Sequence, residues 1–529
     1  MRIKLSLGRK KLTLIYNARI ETADMIPHPK SITKAQGTIQ VSNLEPTTSI
    51  DETLPSEGYK LDVGSSKDGV HITGGSAAGV FYGKQTWKQL LPPSLLRHTA
   101  AGREGPWPVQ AQLIQDSPRF AWRGVMLDTA RHFMPLPDVL RFIDLAAFHK
   151  LNVLHLHLTD DQGWRIPVDK WPQLTVVGCW RKRTMLGSTI HDAYDARPHG
   201  GFYSKQDLEE IVAFAAERHI TVVPEVDMPG HMQAAISAYP ELGNGAKVGV
   251  MEEWGISTHV LNMSDQVLDF CKDVLDTVCD IFPGKFVGIG GDECPHDEWK
   301  ASPAVQARMK ELGLPNESAL HGWFVAQMAD HLRSRSRRAF GWDEILAGGE
   351  RTPADVLIGA WRGFDPISIA AQRGFEVIAC PDMAAYLDFR QSEHQDEPTP
   401  VGTVLSVDVV YAFEPIPEGL TEDEKKRVIG CQANIWTEHM ESARRVDYMA
   451  YPRLCAMAEV AWGKPPSDVE TESFKDRLEA HFQRLDALGV NYRPSSGPRP
   501  WDARADALGK PRSMEYRLEK QSRFIADLL

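Results

Sequence analysis

From Phe120 onward the chain repeats one unit: a short apolar run, a polar cluster, then a stretch of helix length. The apolar runs fall at 123–128, 151–158, 219–225, 286–291, 338–342, 355–361, 375–380 and 429–435. Helix-like stretches at 137–149, 205–218, 264–280, 316–335 and 367–373 come between them. Eight strand–helix repeats predict an α/β fold, a closed (β/α)8 TIM barrel, with its site at the C-terminal ends of the strands. The loops at 161–204 and 381–428 are longer than ordinary βα connections, which suits a pocket built around a large substrate.

Residues 1–117 read as a small α/β domain ahead of the barrel. Its recognisable parts are strands at 58–63 and 69–73 and a helix at 77–91, on which Val80, Phe81, Trp87 and Leu90 share an apolar face. Pro92, Pro93 and the Gly-Pro-rich piece 102–109 are expected to form a surface connection. The barrel is assigned to 118–495, and 496–529 is expected to be a helical extension packed on it. A helix at 471–488, with Phe474, Leu478, Phe482, Leu485 and Leu488 at three- and four-residue spacing, is expected to pack on the barrel without chemistry.

Composition excludes more than it selects. An apolar fraction of 42% supports a large core, and a net charge of −12 argues against a nucleic-acid or anionic-membrane partner. The cluster Arg9, Lys10, Lys11 is too short to reverse that. Seven cysteines with no CxxC pair resemble neither a disulfide framework nor a zinc or iron–sulfur motif. No apolar stretch approaches membrane-spanning length, so a cytoplasmic enzyme is expected. No dinucleotide fingerprint, Walker loop or Gly-x-Ser-x-Gly elbow is present, and no cofactor is implied.

The strongest chemical signal is FVGIGGDECP, 286–295. Gly290 and Gly291 end a strand and present Asp292 and Glu293. Adjacent carboxylates repel, so one holds its proton, as protonation of a glycosidic oxygen requires. The segment HLHLTDDQGWR, 155–165, places His155 and His157 on one strand face; with His231 they are the donors of a rival, metal-dependent reading. Fourteen tryptophans form a third signal. Trp342, Trp361 and Trp436 lie at strand ends beside carboxylates, and Trp164 follows another; indole faces stack on sugar rings. Arg131, after the first strand, can clamp two hydroxyls or simply pair with a barrel carboxylate. Residues and spacing alone reach a carbohydrate-type hydrolase.

In order along 123–438, MLDTARHF, HLHLTDDQGWRIPV, VVPEVDMPGH, IGGDE, GWDE, GAWRG, YLD and QANIWTE closely resemble glycoside hydrolase family 20, the β-N-acetylhexosaminidases. YPRLCAMAEVAW at 451–462 extends the match, and the N-terminal portion resembles the small domain that precedes this family's barrel. The resemblance implies retaining exo-hydrolysis of terminal N-acetylhexosamine by the substrate's own 2-acetamido group. It implies Glu293 as acid and then base, Asp292 as the group that orients the acetamido, and Tyr386 as a donor to its oxygen. Trp342, Trp361 and Trp436 would wall the pocket, and Arg131, Asp388 and Glu438 would hold hydroxyls. Asp160 and His231 join this binding set and would support the acid. No metal is implied. An oligosaccharide or glycoconjugate is the expected partner. A disaccharide-releasing enzyme of the lacto-N-biosidase kind and a catalytically silent carbohydrate-binding protein are the alternatives.

Overall fold

The structure is a computed structural model that describes residues 24–64, 69–97, 99, 105–188, 192–399, 401–463, 468–504, 507, 509 and 512–528, with the side chains of 468–472 and 523–528 left out. The basic cluster Arg9–Lys11 and the first part of the 102–109 connection lie outside the described residues.

The N-terminal domain is a five-stranded sheet made of β1 (Ser31–Val41), β2 (Thr47–Ile50), β3 (Tyr59–Val63), β4 (Val70–Gly74) and β5 (Trp107–Asp116), in the order β1-β5-β3-β4-β2. Along β3, Tyr59, Leu61 and Val63 are buried while Lys60 and Asp62 are half-buried, the alternation of a sheet with one covered face. Helix α1 (Ala77–Leu90), capped by the Ser76 hydroxyl, packs on that sheet. Tyr59, Ile72, Tyr82, Trp87 and Ile114 form the domain's own core. The expected surface connection at 102–109 is corrected at its end: Trp107, Pro108 and Val109 open β5 and pair with Val41, Gln40 and Ile39. Proline is tolerated near the start of a strand, which is why a Gly-Pro signal misreads here.

Eight parallel strands then close a barrel: β6 (Trp122–Asp128), β7 (Val153–His157), β8 (Thr221–Glu225), β9 (Phe286–Gly288), β10 (Arg338–Trp342), β11 (Leu357–Ala360), β12 (Val377–Ala379) and β13 (Val428–Ile435). Each expected strand is present. The helices that matter below are α2 (Leu136–Phe148), α3 (Lys205–Ala216), α4 (Asp265–Ile281), α5 (Glu317–Ser334), α6 (Asp365–Gln372) and α7 (Arg453–Trp462).

Polar anchors join the sheet domain to the barrel. Arg123 of β6 donates to both oxygens of Glu57 at 2.7 and 3.0 Å. The buried Lys150 ammonium donates to Asp116 at 3.0 Å, and Trp462 Nε1–H donates to the same carboxylate at 2.9 Å. Helix α8 (Asp468–Ala487) buries Phe474, Leu478, Phe482 and Leu485. It serves both domains, because Arg484 donates to the backbone oxygens of Asp24 and Gln89. Among the described residues of the 496–529 tail, the helix is α9 (Met514–Leu528), where Arg517 and Gln521 bind Asp382.

Candidate active site

Strand β9 ends at Gly288, and the next residues turn sharply into the barrel mouth. Gly290 and Gly291 have φ of 64° and 87°, in the left-handed region. A Cβ on Gly290 would lie 1.7 Å from Asp227 Oδ1, so only glycine fits beside that carboxylate. Glu293 itself has φ 45°, local strain of the kind that collects at functional positions. This turn delivers Asp292 and Glu293 to a cavity of about 700 Å³, well within the range of small-molecule sites.

The cavity wall brings together Arg131, Trp361, Tyr386, Asp388, Trp436 and Glu438. Trp361 and Tyr386 stack at 5.8 Å and 21°, and Trp436 lies 6.3 Å from Tyr386 and 6.0 Å from Trp342. Burial pushes the Tyr386 hydroxyl well up, so it stays a donor. Trp342 is buried, its ring 6.0 Å from that of Trp436. Asp160 and His231, expected to support the acid, are both buried next to the carboxylates. Trp164 is core, its Nε1–H donating to the oxygen of Ile166.

Behind the pocket runs a chain of alternating charge. His155 Nε2 and His157 Nδ1 both donate to Glu225 Oε2, at 2.9 and 2.5 Å. His157 Nε2 meets Asp160 Oδ2 at 3.0 Å. With a carboxylate on each ring nitrogen, His157 carries both protons. Burial alone would lower its pKa, but Glu225 and Asp160 raise it to about 10. Glu225 would rise on burial, and the two histidines hold it well below the usual range instead. Asp160 is also held down, against burial, by Arg131 at 2.7 Å and by His231 at 3.2 Å. His231 Nδ1 is shared between Asp160 and Asp161, and it too is held well above its ordinary value. Its other nitrogen, Nε2, lies 3.8 Å from Asp292 and 3.7 Å from Glu293. His155 and His157, two of the three donors of the metal reading, both bind Glu225.

Burial and the neighbouring Asp227 carboxyl raise Asp292 well above the usual carboxylate range. Asp227 is raised likewise, and its Oδ1 accepts from Gly291 N–H at 3.2 Å. Burial, with Glu438 adding to it, raises Asp388; Glu438 is pushed up to about 7, chiefly by burial. Burial also raises the Cys294 thiol, which leaves it protonated beside Glu293.

Several functional residues were not singled out from the sequence. Asp128, at the end of β6, accepts from the backbone of Ala130, Arg131 and Thr437. Asp343 accepts from the backbone of Trp361 and Arg362. Glu225 and Asp227 sit in PEVDMPGH, where a carboxylate ending a buried strand was the available signal, since such a charge needs a partner. Helix α9 supplies Tyr516 to the cavity rim, and Arg512 just ahead of the helix joins it there, a contribution no periodicity announces.

Comparison with known proteins places this geometry. The model of the glycosyl hydrolase family 20 catalytic domain matches residues 120–465, and that of the family's domain 2 matches 17–117. A beta-hexosaminidase of Porphyromonas gingivalis is 40% identical over 457 residues, 84% of this chain and 56% of that protein. One from Vibrio furnissii is 35% identical over 424 residues, 77% of this chain and 65% of its own length. The chain therefore spans less than two thirds of both. A solved GH20 exo beta-N-acetylglucosaminidase from Vibrio harveyi, in complex with N-acetylglucosamine, is similar at TM-score 0.78 and 31% identity, over 89% of this chain and 78% of that one.

Proposed function

The chain belongs to glycosyl hydrolase family 20, and from that premise we propose that it is a β-N-acetylhexosaminidase. Its reaction removes terminal non-reducing GlcNAc or GalNAc with retention, and the nucleophile is the substrate's 2-acetamido oxygen. One observation carries this reading: a single imidazole nitrogen of His231 lies within 3.8 Å of both Asp292 and Glu293. The two carboxyls stand side by side. An ordinary retaining pair instead flanks the bond, with one member attacking from the opposite face.

In the first step Glu293 gives its proton to the leaving glycosidic oxygen. The acetamido oxygen forms a bond to the anomeric carbon as the bond to the aglycone breaks. Positive charge grows on the acetamido nitrogen. Asp292, made a stronger base by burial and Asp227, accepts from that N–H. Tyr386 donates to the acetamido oxygen and holds it in line. In the second step Glu293, now ionised, takes a proton from water. That water attacks the anomeric carbon, the oxazoline opens, and the β configuration is restored. Trp361 and Trp436 supply the apolar walls, while Arg131, Asp388 and Glu438 take the ring hydroxyls.

The test is a panel of aryl β-glycosides. The GlcNAc and GalNAc compounds should turn over with retention, and the plain glucoside should not. Efficient glucoside hydrolysis would defeat the mechanism, and release of intact disaccharides from oligosaccharides would favour the lacto-N-biosidase alternative. No described helix is long and apolar enough to cross a membrane. Seven cysteines, none bonded to another, support a reducing compartment such as the cytoplasm.

A further inference from the structure

Three donors meet in the core far along the chain from the carboxylates. His149, at the end of α2, Cys455, on α7, and His481, on α8, are each fully buried. His149 Nε2 lies 3.0 Å from His481 Nε2 and 3.5 Å from Cys455 Sγ. Zinc–imidazole bonds of about 2.0–2.1 Å and zinc–thiolate bonds of about 2.3 Å, at tetrahedral angles, would separate the donors by roughly 3.3 Å (N···N) and 3.5 Å (N···S). The observed spacing is close to both values.

The hydrogen bonding leaves this cluster incomplete as it stands. His149 Nδ1 donates to the Leu145 oxygen at 2.7 Å, so its Nε2 holds a single lone pair. Two groups, His481 and Cys455, face that one lone pair. If His481 donates there, its own Nδ1 has no partner among the described residues. The buried hydroxyl of Tyr451, whose ring lies 5.5 Å from His149, has none either. A backbone carbonyl on the far nitrogen is the usual way a ligating imidazole is oriented.

We propose that His149, Cys455 and His481 form a buried site for a thiolate-binding cation, zinc(II) or copper(I), that fastens α8 to α2 and α7. Burial keeps both imidazoles neutral near pH 7, with their lone pairs available: His149 falls to about 4, and His481 is held well below its ordinary value. On binding, the Cys455 S–H bond breaks, an S–metal bond forms and the proton leaves to solvent; no oxidation is involved. Soft and borderline ions suit this donor set. Copper(I) would leave the site neutral, and zinc(II) would leave one positive charge. Because all three donors are enclosed, the ion is taken up as α8 docks during folding. The site is remote from the pocket, so the glycosidase reading can stand or fall without it.

The experiment is to unfold the full chain and refold it with zinc sulfate, with copper(I) under reductant, or with chelator, then to measure bound metal and the thermal midpoint. One arm should retain about one ion per chain after desalting and melt several degrees above the chelator arm. Cobalt(II) in place of zinc should give a thiolate charge-transfer band in the near ultraviolet. Cys455→Ser and, independently, His481→Gln should lose the ion, the band and the shift together. Metal below about a tenth of an equivalent in every arm, or metal retained unchanged in both variants, would overturn the proposal and leave a hydrogen-bonded triad.

Discussion

The wall behind Asp292 and Glu293 has two faces, and they are built by opposite rules. On the back face most groups are paired, Glu225 Oε1 and Asp227 Oδ2 excepted: Glu225 with two histidines, His157 with two carboxylates, Asp160 with Arg131, His157 and His231. On the front, Asp292 Oδ1, Glu438 Oε2 and both oxygens of Asp388 take no hydrogen bond from another described residue. Paired charges fix position, because moving one leaves another buried without a partner. Unpaired groups in a cavity are where ligand hydroxyls and amides can enter. The difference locates the substrate side without a bound sugar.

Changes to the front should therefore cost turnover and leave the fold intact. The largest loss is expected for Glu293→Gln, roughly 10³–10⁴-fold in kcat, greatest with poor leaving groups that need the proton. Addition of azide should rescue the second step only for activated aryl substrates. Asp292→Asn comes next, at about 10²–10³-fold, because the growing charge on the acetamido nitrogen loses its acceptor. An unchanged thermal midpoint in both variants is part of the expectation. If either melts markedly lower, the front is not built from unpaired groups as described.

Changes to the back should reverse that pattern. Glu225→Gln leaves His157 charged and half-paired, and should cost about 3–5 kcal/mol of stability. The pH dependence of stability follows. His157 rises from 6.5 to about 10 on folding, so its contribution is complete below about pH 6.5 and is lost as pH rises through 10. Thermal melts of the wild type should fall between pH 7 and 10, and Glu225→Gln should flatten that slope. A variant that melts like the wild type at every pH would show that the back face is not held by charge.

The same contrast governs how much could be read in advance. The eight barrel strands were legible because their apolar runs are short, repeated and separated by helix-length stretches. Front residues were legible through the resemblance and, for Asp292 and Glu293, through the Gly290–Gly291 context. The back was much less so, since pairing is a property of three dimensions: nothing in PEVDMPGH says that Glu225 meets His155 and His157 from the neighbouring strand. The strands β1 and β5 escaped for another reason. β1, SITKAQGTIQV, is almost entirely exposed and carries little apolar alternation, and β5 has a proline as its second residue. The tail helix α9 reached the cavity rim through folding back, which local sequence does not encode.

The smallest effect separates the two faces at a single residue. Glu438 stands at their junction: half-buried, with one free oxygen toward the cavity, near Arg131 on one side and Asp128 and Asp160 behind. Burial, and less strongly those two carboxylates, raises it to about 7, while Arg131 opposes. Only the ionised form accepts two hydroxyl donors, so sugar binding should favour loss of its proton. As pH rises through about 7, kcat/KM should climb, with the change carried by KM. Glu438→Gln should remove that limb and cost roughly 10-fold above it, the scale of one hydrogen bond to a charged acceptor, with little loss below. If the limb persists in the variant, it belongs to another group, and Glu438 belongs with the paired residues of the back face.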